Sequence, residues 1–192
     1  VRVNPLSIIE TFYITQQTYR TMGNLKLSLY PVDGLTIDLI GGGDMYSLQG
    51  NEYPPRLPYP GVSADFFPDG YVSFATDNVM LLNNDLNVTY NKAINSDFTS
   101  TSMIGYQIQY NRNQYTAQDG RDLAPFGTTV SAANNLFRRS VQSIAERFIS
   151  GAFAQQTFGY KDEIFVTLAG RLDKSSVFAT DNQNNFYPKI SG

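Results

Sequence analysis

The sequence predicts an all-β protein whose antiparallel strands follow one another in up-and-down order. Three observations predict it. Apolar and polar residues alternate with a period of two in several stretches. Short turn signals alternate with long irregular connections. Aromatics make up 14% of the chain, as 13 Tyr and 13 Phe with no Trp. A period of two marks strands with one apolar and one polar face, because successive side chains point to opposite sides.

The first clear pair of strands opens the case. Leu25, Leu27 and Leu29 fall on one face, with Lys26 and Ser28 on the other. Pro31-Val32-Asp33-Gly34 follows as a tight turn, Asp-Gly supplying the backbone freedom that a hairpin needs. The return strand runs from Leu35 through Ile37 and Leu39 into Gly41, Gly42 and Gly43. From Gln49 to about Tyr71 the alternation stops, and Pro54, Pro55, Pro58, Pro60 and Pro68 predict a long loop. Alternation resumes near Leu81. Leu86, Val88 and Tyr90 then stand against Asp85, Asn87 and Thr89.

A turn over residues 91–97 leads to Ile104, Tyr106, Ile108 and Tyr110, interleaved with Gly105, Gln107 and Gln109. A second long loop is expected from about Asn111 to Ala132. The stretch 134–158 has an ambiguous period, since Val141, Ile144, Ala145 and Phe148 also have helical spacing. Gly159-Tyr160-Lys161-Asp162 reads as a turn. The last full strand places Ile164, Val166, Leu168 and Leu172 opposite Phe165, Thr167, Arg171 and Asp173. This gives about six strands, and Ile190-Ser191-Gly192 reads as the start of another. That ending, and a beginning at Val1 with no signal peptide, suggest a fragment.

Two architectures satisfy this pattern. A soluble sandwich alternates apolar and polar residues. So does a transmembrane barrel, which also has short turns at one end and long loops at the other. Charged residues are 16% of the 192, below the roughly 25% of soluble proteins. Asn and Gln, 27 together, fill much of the gap. No apolar run approaches the ~18 residues of a membrane helix, but a spanning strand needs only about 9–11.

Composition also excludes functions. Net charge is −3 with no basic face, which argues against nucleic acid as a partner. Cys and His are both absent. Disulfides, thiolate metal sites and the usual general base are therefore missing. No nucleophile elbow, phosphate loop or metal-ligand spacing is present. The expectation is a non-enzyme with no cofactor and no metal site. Gln118-Asp119-Gly120-Arg121-Asp122 has a faint look of a calcium loop, but lacks the repeated oxygen ligands and is read as a turn.

The C-terminal stretch is the most specific. Residues 159–192 read GYKDEIFVTLAGRLDKSSVFATDNQNNFYPKISG. They resemble a pattern of SusC/RagA-type TonB-dependent (TonB-linked) outer-membrane proteins. Its positions here are Tyr160, Lys161 and Asp162, then Arg171, Asp173, Ser175, Ser176 and Phe178, then Tyr187, Pro188, Lys189 and Ser191. Lys174 departs from it, where Gly is usual. Earlier parts, such as Asn4-Pro5 before a strand pair and a Pro- and Tyr-rich loop, match more loosely.

The resemblance implies an antiparallel transmembrane barrel of about 22 strands with an N-terminal plug. Residues 1–192 would be one partial barrel domain, an open curved sheet with plug and remaining strands absent. It further implies a Gram-negative bacterial outer membrane and contact with its lipid. The implied activity is active import of glycan or peptide fragments as nutrients. The implied partners are a SusD-like surface lipoprotein acting as a lid, the TonB complex acting through the absent plug, and an oligosaccharide or peptide substrate. The alternative is a soluble or surface-anchored β-sheet glycan-binding domain.

Two groups of site residues follow. Arg171 and Asp173 are two apart on a strand and so share a face, opposite the apolar residues that suit lipid. They are candidates for lumen-facing contact with plug or substrate, or for an ion-pair network bracing the wall. Tyr53, Tyr59, Phe66 and Phe67 lie in the Pro-rich loop. They are candidates for ligand or lid contacts, or for packing the loop on itself.

Overall fold

The computed structural model describes residues 6, 9, 12–53, 69–125, 127–177 and 184–192. Among these residues seven strands form one sheet: β1 (Tyr13–Leu29), β2 (Leu35–Tyr53), β3 (Tyr71–Ala93), β4 (Phe98–Arg121), β5 (Arg138–Tyr160), β6 (Ile164–Ser175) and β7 (Asn184–Ser191). Each pairs antiparallel with the next, and the spatial order is the chain order. β1 and β7 are the two edges, so the sheet is open. Two single-turn 3-10 helices, Val130–Ala132 and Asn135–Phe137, lie between β4 and β5.

The strand count is seven where the sequence suggested about six. The added strand is β7, which pairs with β6 through Leu168↔Ile190 and Leu172↔Phe186. The ambiguous segment is strand: β5 is extended over all 23 of its residues, with no helix. Pairing with β6 from Ile149 to Tyr160 supplies the backbone hydrogen bonds that a helix would have made internally.

The strands are also longer than alternation indicated. β2 continues past Gln49 to Tyr53, β3 begins ten residues before Leu81, and β4 continues past Asn111 to Arg121. The turn read at 118–122 is therefore mostly the end of β4, and Asp119 there pairs with Arg139 at 2.9 Å. The reason is physical. β3 and β4 have 23 and 24 residues, and in stretches such as Asn111, Arg112, Asn113 and Gln114 both faces are polar. Alternation then vanishes while the backbone ladder persists.

Three short turns connect strands, each with its own chemistry. At β1–β2, Leu35 N donates to Val32 O at 3.1 Å and Gly34 takes φ 79°. A side chain on Gly34 would also collide with the backbone carbonyl of Asn91. At β3–β4, Asn95 Oδ1 accepts from Asp97 N (2.9 Å) and Phe98 N (2.8 Å). At β5–β6, Lys161 and Asp162 sit at φ 51° and 56°, and Glu163 N donates to Tyr160 O at 3.1 Å. Two successive left-handed residues match the right-handed strand twist of a tight hairpin.

The chain divides into two compact units. The first comprises residues 1–20, 46–79 and 113–145. It holds a small core in which Val72 (4% exposed), Leu123 (1%) and Ala133 (4%) pack with Tyr53 and Val130. The β4–β5 connection builds this core. Leu123 bridges to Ala133, Leu123 N donates to Asp69 O at 2.8 Å, and the Arg138 guanidinium donates to the carbonyls of Ala133 and Ser131.

The second unit comprises residues 21–45, 80–112 and 146–192. Its strands are two-faced. The apolar side leaves Leu25 76%, Ile104 59% and Leu168 47% exposed in the chain. No buried hydrophobic cluster is present among its described residues.

Candidate functional site

Contacts in the second unit fix which residues share its polar face. Lys26 Nζ lies 3.2 Å from Asp38 Oδ2, and Ser28 Oγ donates to Asp38 Oδ1 at 2.5 Å. Arg171 Nε donates to Asp173 Oδ1 at 2.7 Å, and its Nη2 donates to Gln107 Oε1 at 3.0 Å. The guanidinium therefore reaches from β6 across β5 to β4. Gly151, opposite Asp173 in register, makes this reach possible: a Cβ there would collide with both Asp173 Oδ1 and Arg171 Nη2. Gly105 on β4 does the same for Phe153, whose ring covers it beside Asn87 Oδ1.

The expected division of faces follows. Asn87, Gln107, Arg171 and Asp173 share one face, and Lys26 and Asp38 share theirs. By alternation Val88, Ile108, Val166, Leu168 and Leu172 point the other way, as do Leu25, Leu27, Ile37 and Leu39 beside Lys26 and Asp38. Asp85 lies on the polar face with one buried carboxylate oxygen that has no partner among the described residues. Arg171 and Asp173 are 36% and 26% exposed. Their pairing braces three strands and leaves hydrogen-bonding capacity toward whatever occupies that side. Among the described residues no group of three or more His, Cys, Asp or Glu is placed to hold a metal ion. The face can bind by charge and hydrogen bonding.

In the first unit the Tyr53 ring stacks on Tyr13, centroids 4.6 Å apart and planes 27° from parallel. Both border a cavity of about 530 Å³ lined by amides and hydroxyls such as Gln17, Asn51, Gln118 and Thr129, together with the apolar Val72, Phe74 and Val130. Tyr53, read from the sequence as part of the loop, is the last residue of β2 and also packs against the small core. Tyr59, Phe66 and Phe67 lie outside the described residues.

Sequence reasoning missed Tyr13, Phe153, Gln107 as the partner of Arg171, and the two glycines. Gly105 and Gly151 did carry a signal, since a glycine inside a strand marks a close approach. Tyr13 carried none, because it precedes the first readable alternation.

The chain matches no protein-family model. It is 28% identical over 191 residues to TonB-dependent receptor P26 of Formosa agariphila, covering 92% of this chain and 18% of that protein. Among solved structures it resembles the RagAB peptide transporter, with TM-score 0.86 at 15% identity over 95% of this chain and 20% of that one. The RagAB peptide importer in its open-open state gives 0.83. The siderophore receptor PiuA from Acinetobacter baumannii gives only 0.51, at 10% identity. The chain has the fold of a SusC/RagA-type receptor's barrel wall, and its sequence is similar to that of a TonB-dependent receptor. The chain spans about a fifth of the length of the relatives it matches.

The SusC/RagA-type motif now has a physical reading. Tyr160-Lys161-Asp162 is the left-handed turn between β5 and β6. Arg171 and Asp173 are the brace on the polar face. Ser176 closes the end of the β5–β6 pair: Phe148 N donates to its hydroxyl, and its own N donates to Phe148 O, both at 2.9 Å. Tyr187 to Ser191 belong to β7.

Proposed function

We propose that residues 1–192 form one part of the barrel domain of an outer-membrane TonB-dependent importer in a Gram-negative bacterium, working in a SusC/SusD-like system. The two-faced second unit carries this reading. Its apolar residues stand exposed along one face, while the charges and amides gather on the other. A lipid-facing wall around a polar lumen needs this arrangement. A soluble glycan-binding domain would need a second layer over the leucine face. Substrate would be an oligosaccharide or peptide, a class consistent with the neutral amide and hydroxyl lining near Tyr53 and Tyr13. A SusD-like lipoprotein would serve as lid. The TonB complex would act through a plug elsewhere in the receptor.

The test is gene disruption in the source bacterium. Loss of the receptor that contains this chain should abolish uptake of a labelled oligosaccharide or oligopeptide pool, and a proton-motive-force uncoupler should mimic the loss. In fractionation the receptor should follow the outer membrane. Recovery in the soluble fraction would overturn the proposal.

A further inference from the structure

The apolar face of the second unit carries a groove of about 800 Å³. Its floor is a row of small side chains across three strands, Ala154 opposite Gly170 and Gly170 opposite Pro188. Larger residues flank the row, with Leu168 and Ile190 on one side and Leu172 and Phe186 on the other. A trough of this width between aliphatic walls suits a hydrocarbon chain.

One end of the groove is polar, which is unexpected on this face. Gln156 Nε2 donates to Ser100 Oγ at 2.9 Å and to Thr157 O at 3.3 Å, and Gln156 Oε1 accepts from Ser102 Oγ at 2.5 Å. Both amide hydrogens are thereby satisfied, as a polar group beside hydrocarbon requires. Ser100 accepts from Gln156, but its own hydroxyl proton has no acceptor among the described residues. Ser102 and Gln156 line that end of the groove, and Ser100 stands just beyond them, so the cluster presents one spare donor next to the apolar trough.

The depth of that donor indicates the occupant. Phe98 and Tyr160 pair at 4.8 Å beside the short turns, and Lys161 Nζ lies 5.4 Å from the Tyr160 ring centroid. Aromatics and a lysine at a strand end mark the headgroup boundary. Ser100 and Ser102 follow Phe98 by two and four residues. At about 3.4 Å per residue and a tilt near 40°, they lie roughly 5–10 Å further in. This is the level where ester carbonyls give way to acyl chains. The trough continues deeper still.

We infer that this groove holds one phospholipid, with an acyl chain along Ala154, Gly170 and Pro188 and an ester carbonyl accepting from the Ser100 hydroxyl. The inference rests on the outer-membrane reading above. The receptor containing this chain is purified in detergent, delipidated and titrated with dioleoyl phosphatidylethanolamine under native mass spectrometry. One saturable lipid adduct is expected. Ala154→Phe, which fills the trough, should weaken it by about tenfold, the equivalent of two lost methylenes. Ser100→Ala, which removes only the donor and leaves the trough intact, should weaken it by about fivefold. Heat-modifiable gel mobility verifies assembly of each variant. Should Ala154→Phe fail to assemble, Ser100→Ala alone decides. Unsaturable adducts, or equal affinity in assembled variants, overturn the site while an outer-membrane location in fractionation leaves the barrel reading standing. A soluble receptor overturns the barrel reading itself.

Discussion

The two units use the same backbone ladder and solve burial in opposite ways. The first closes its apolar residues inside: Leu123, Val72 and Ala133 are 1%, 4% and 4% exposed, covered by the folded β4–β5 connection. The second leaves Leu25 at 76% and Leu168 at 47% exposed, with no second layer among its described residues. A sheet in water must cover its apolar face with protein. A sheet in a bilayer has that face covered by lipid. On the outer-membrane reading proposed above, the difference separates a region built to be wetted from a region built to be immersed.

The strongest way to break this comparison is to remove the lipid and the neighbouring strands together. The isolated 192-residue chain has two open edges, β1 and β7, and an uncovered leucine face. Open edges and exposed apolar surface both promote association. Expressed alone, it should elute as aggregate in size exclusion without detergent. A sharp monomer peak with cooperative unfolding would remove the contrast, because the second unit would then be stable in water.

A second test acts on the core of the first unit. Leu123→Ala in the full receptor should cost about 2–5 kcal/mol locally, the range for emptying a packed leucine site. The measurement is limited proteolysis of the 122–137 connection, which should accelerate. Heat-modifiable mobility of the barrel should be unchanged. If the barrel itself loosens, the small core is coupled to the wall more tightly than its contacts indicate.

The third test acts on the apolar face. Leu168→Arg places a charge on the lipid side of β6 and should cost about 2–4 kcal/mol at the bilayer midplane. Gln107→Arg, on the opposite face, should cost far less by the same refolding titration in lipid. Equal effects would mean that the two faces see the same medium.

How much of this was legible follows the same division. The second unit could be read well, because one apolar and one polar face force strict alternation on Leu25 to Leu29, Ile104 to Tyr110 and Ile164 to Leu172. The turns were legible where a residue type supplies the backbone, as at Asp33-Gly34. The first unit was read as loop over stretches that are strand. Asn113 and Gln114, where the first unit's part of β4 begins, are polar on opposite faces, so no period survives although β4 continues through them. The core around Leu123 left no signal, since it joins the β4–β5 connection to Val72 and Tyr53, which lie on strands distant in sequence. At the candidate site, Arg171 and Asp173 were legible from their spacing of two. The partner Gln107, 64 residues earlier, depends on strand order and register.

The smallest expected effect concerns that brace. Arg171 and Asp173 are partly exposed, and ion pairs in such settings contribute about 0.2–1 kcal/mol. A double-mutant cycle on Arg171→Ala and Asp173→Ala, read by refolding titration in lipid, should return a coupling within that range. Gly151→Ala provides an independent check, because its new methyl would occupy the space where the carboxylate and guanidinium meet. In that background the coupling should fall toward zero without either charge being removed. A coupling well above the range would mean that the pair is more deeply desolvated in the assembled receptor than in this segment, as contact with a plug would cause. Persistence of the coupling in Gly151→Ala would show that the pair re-forms elsewhere on the face and that Gly151 is not needed for it.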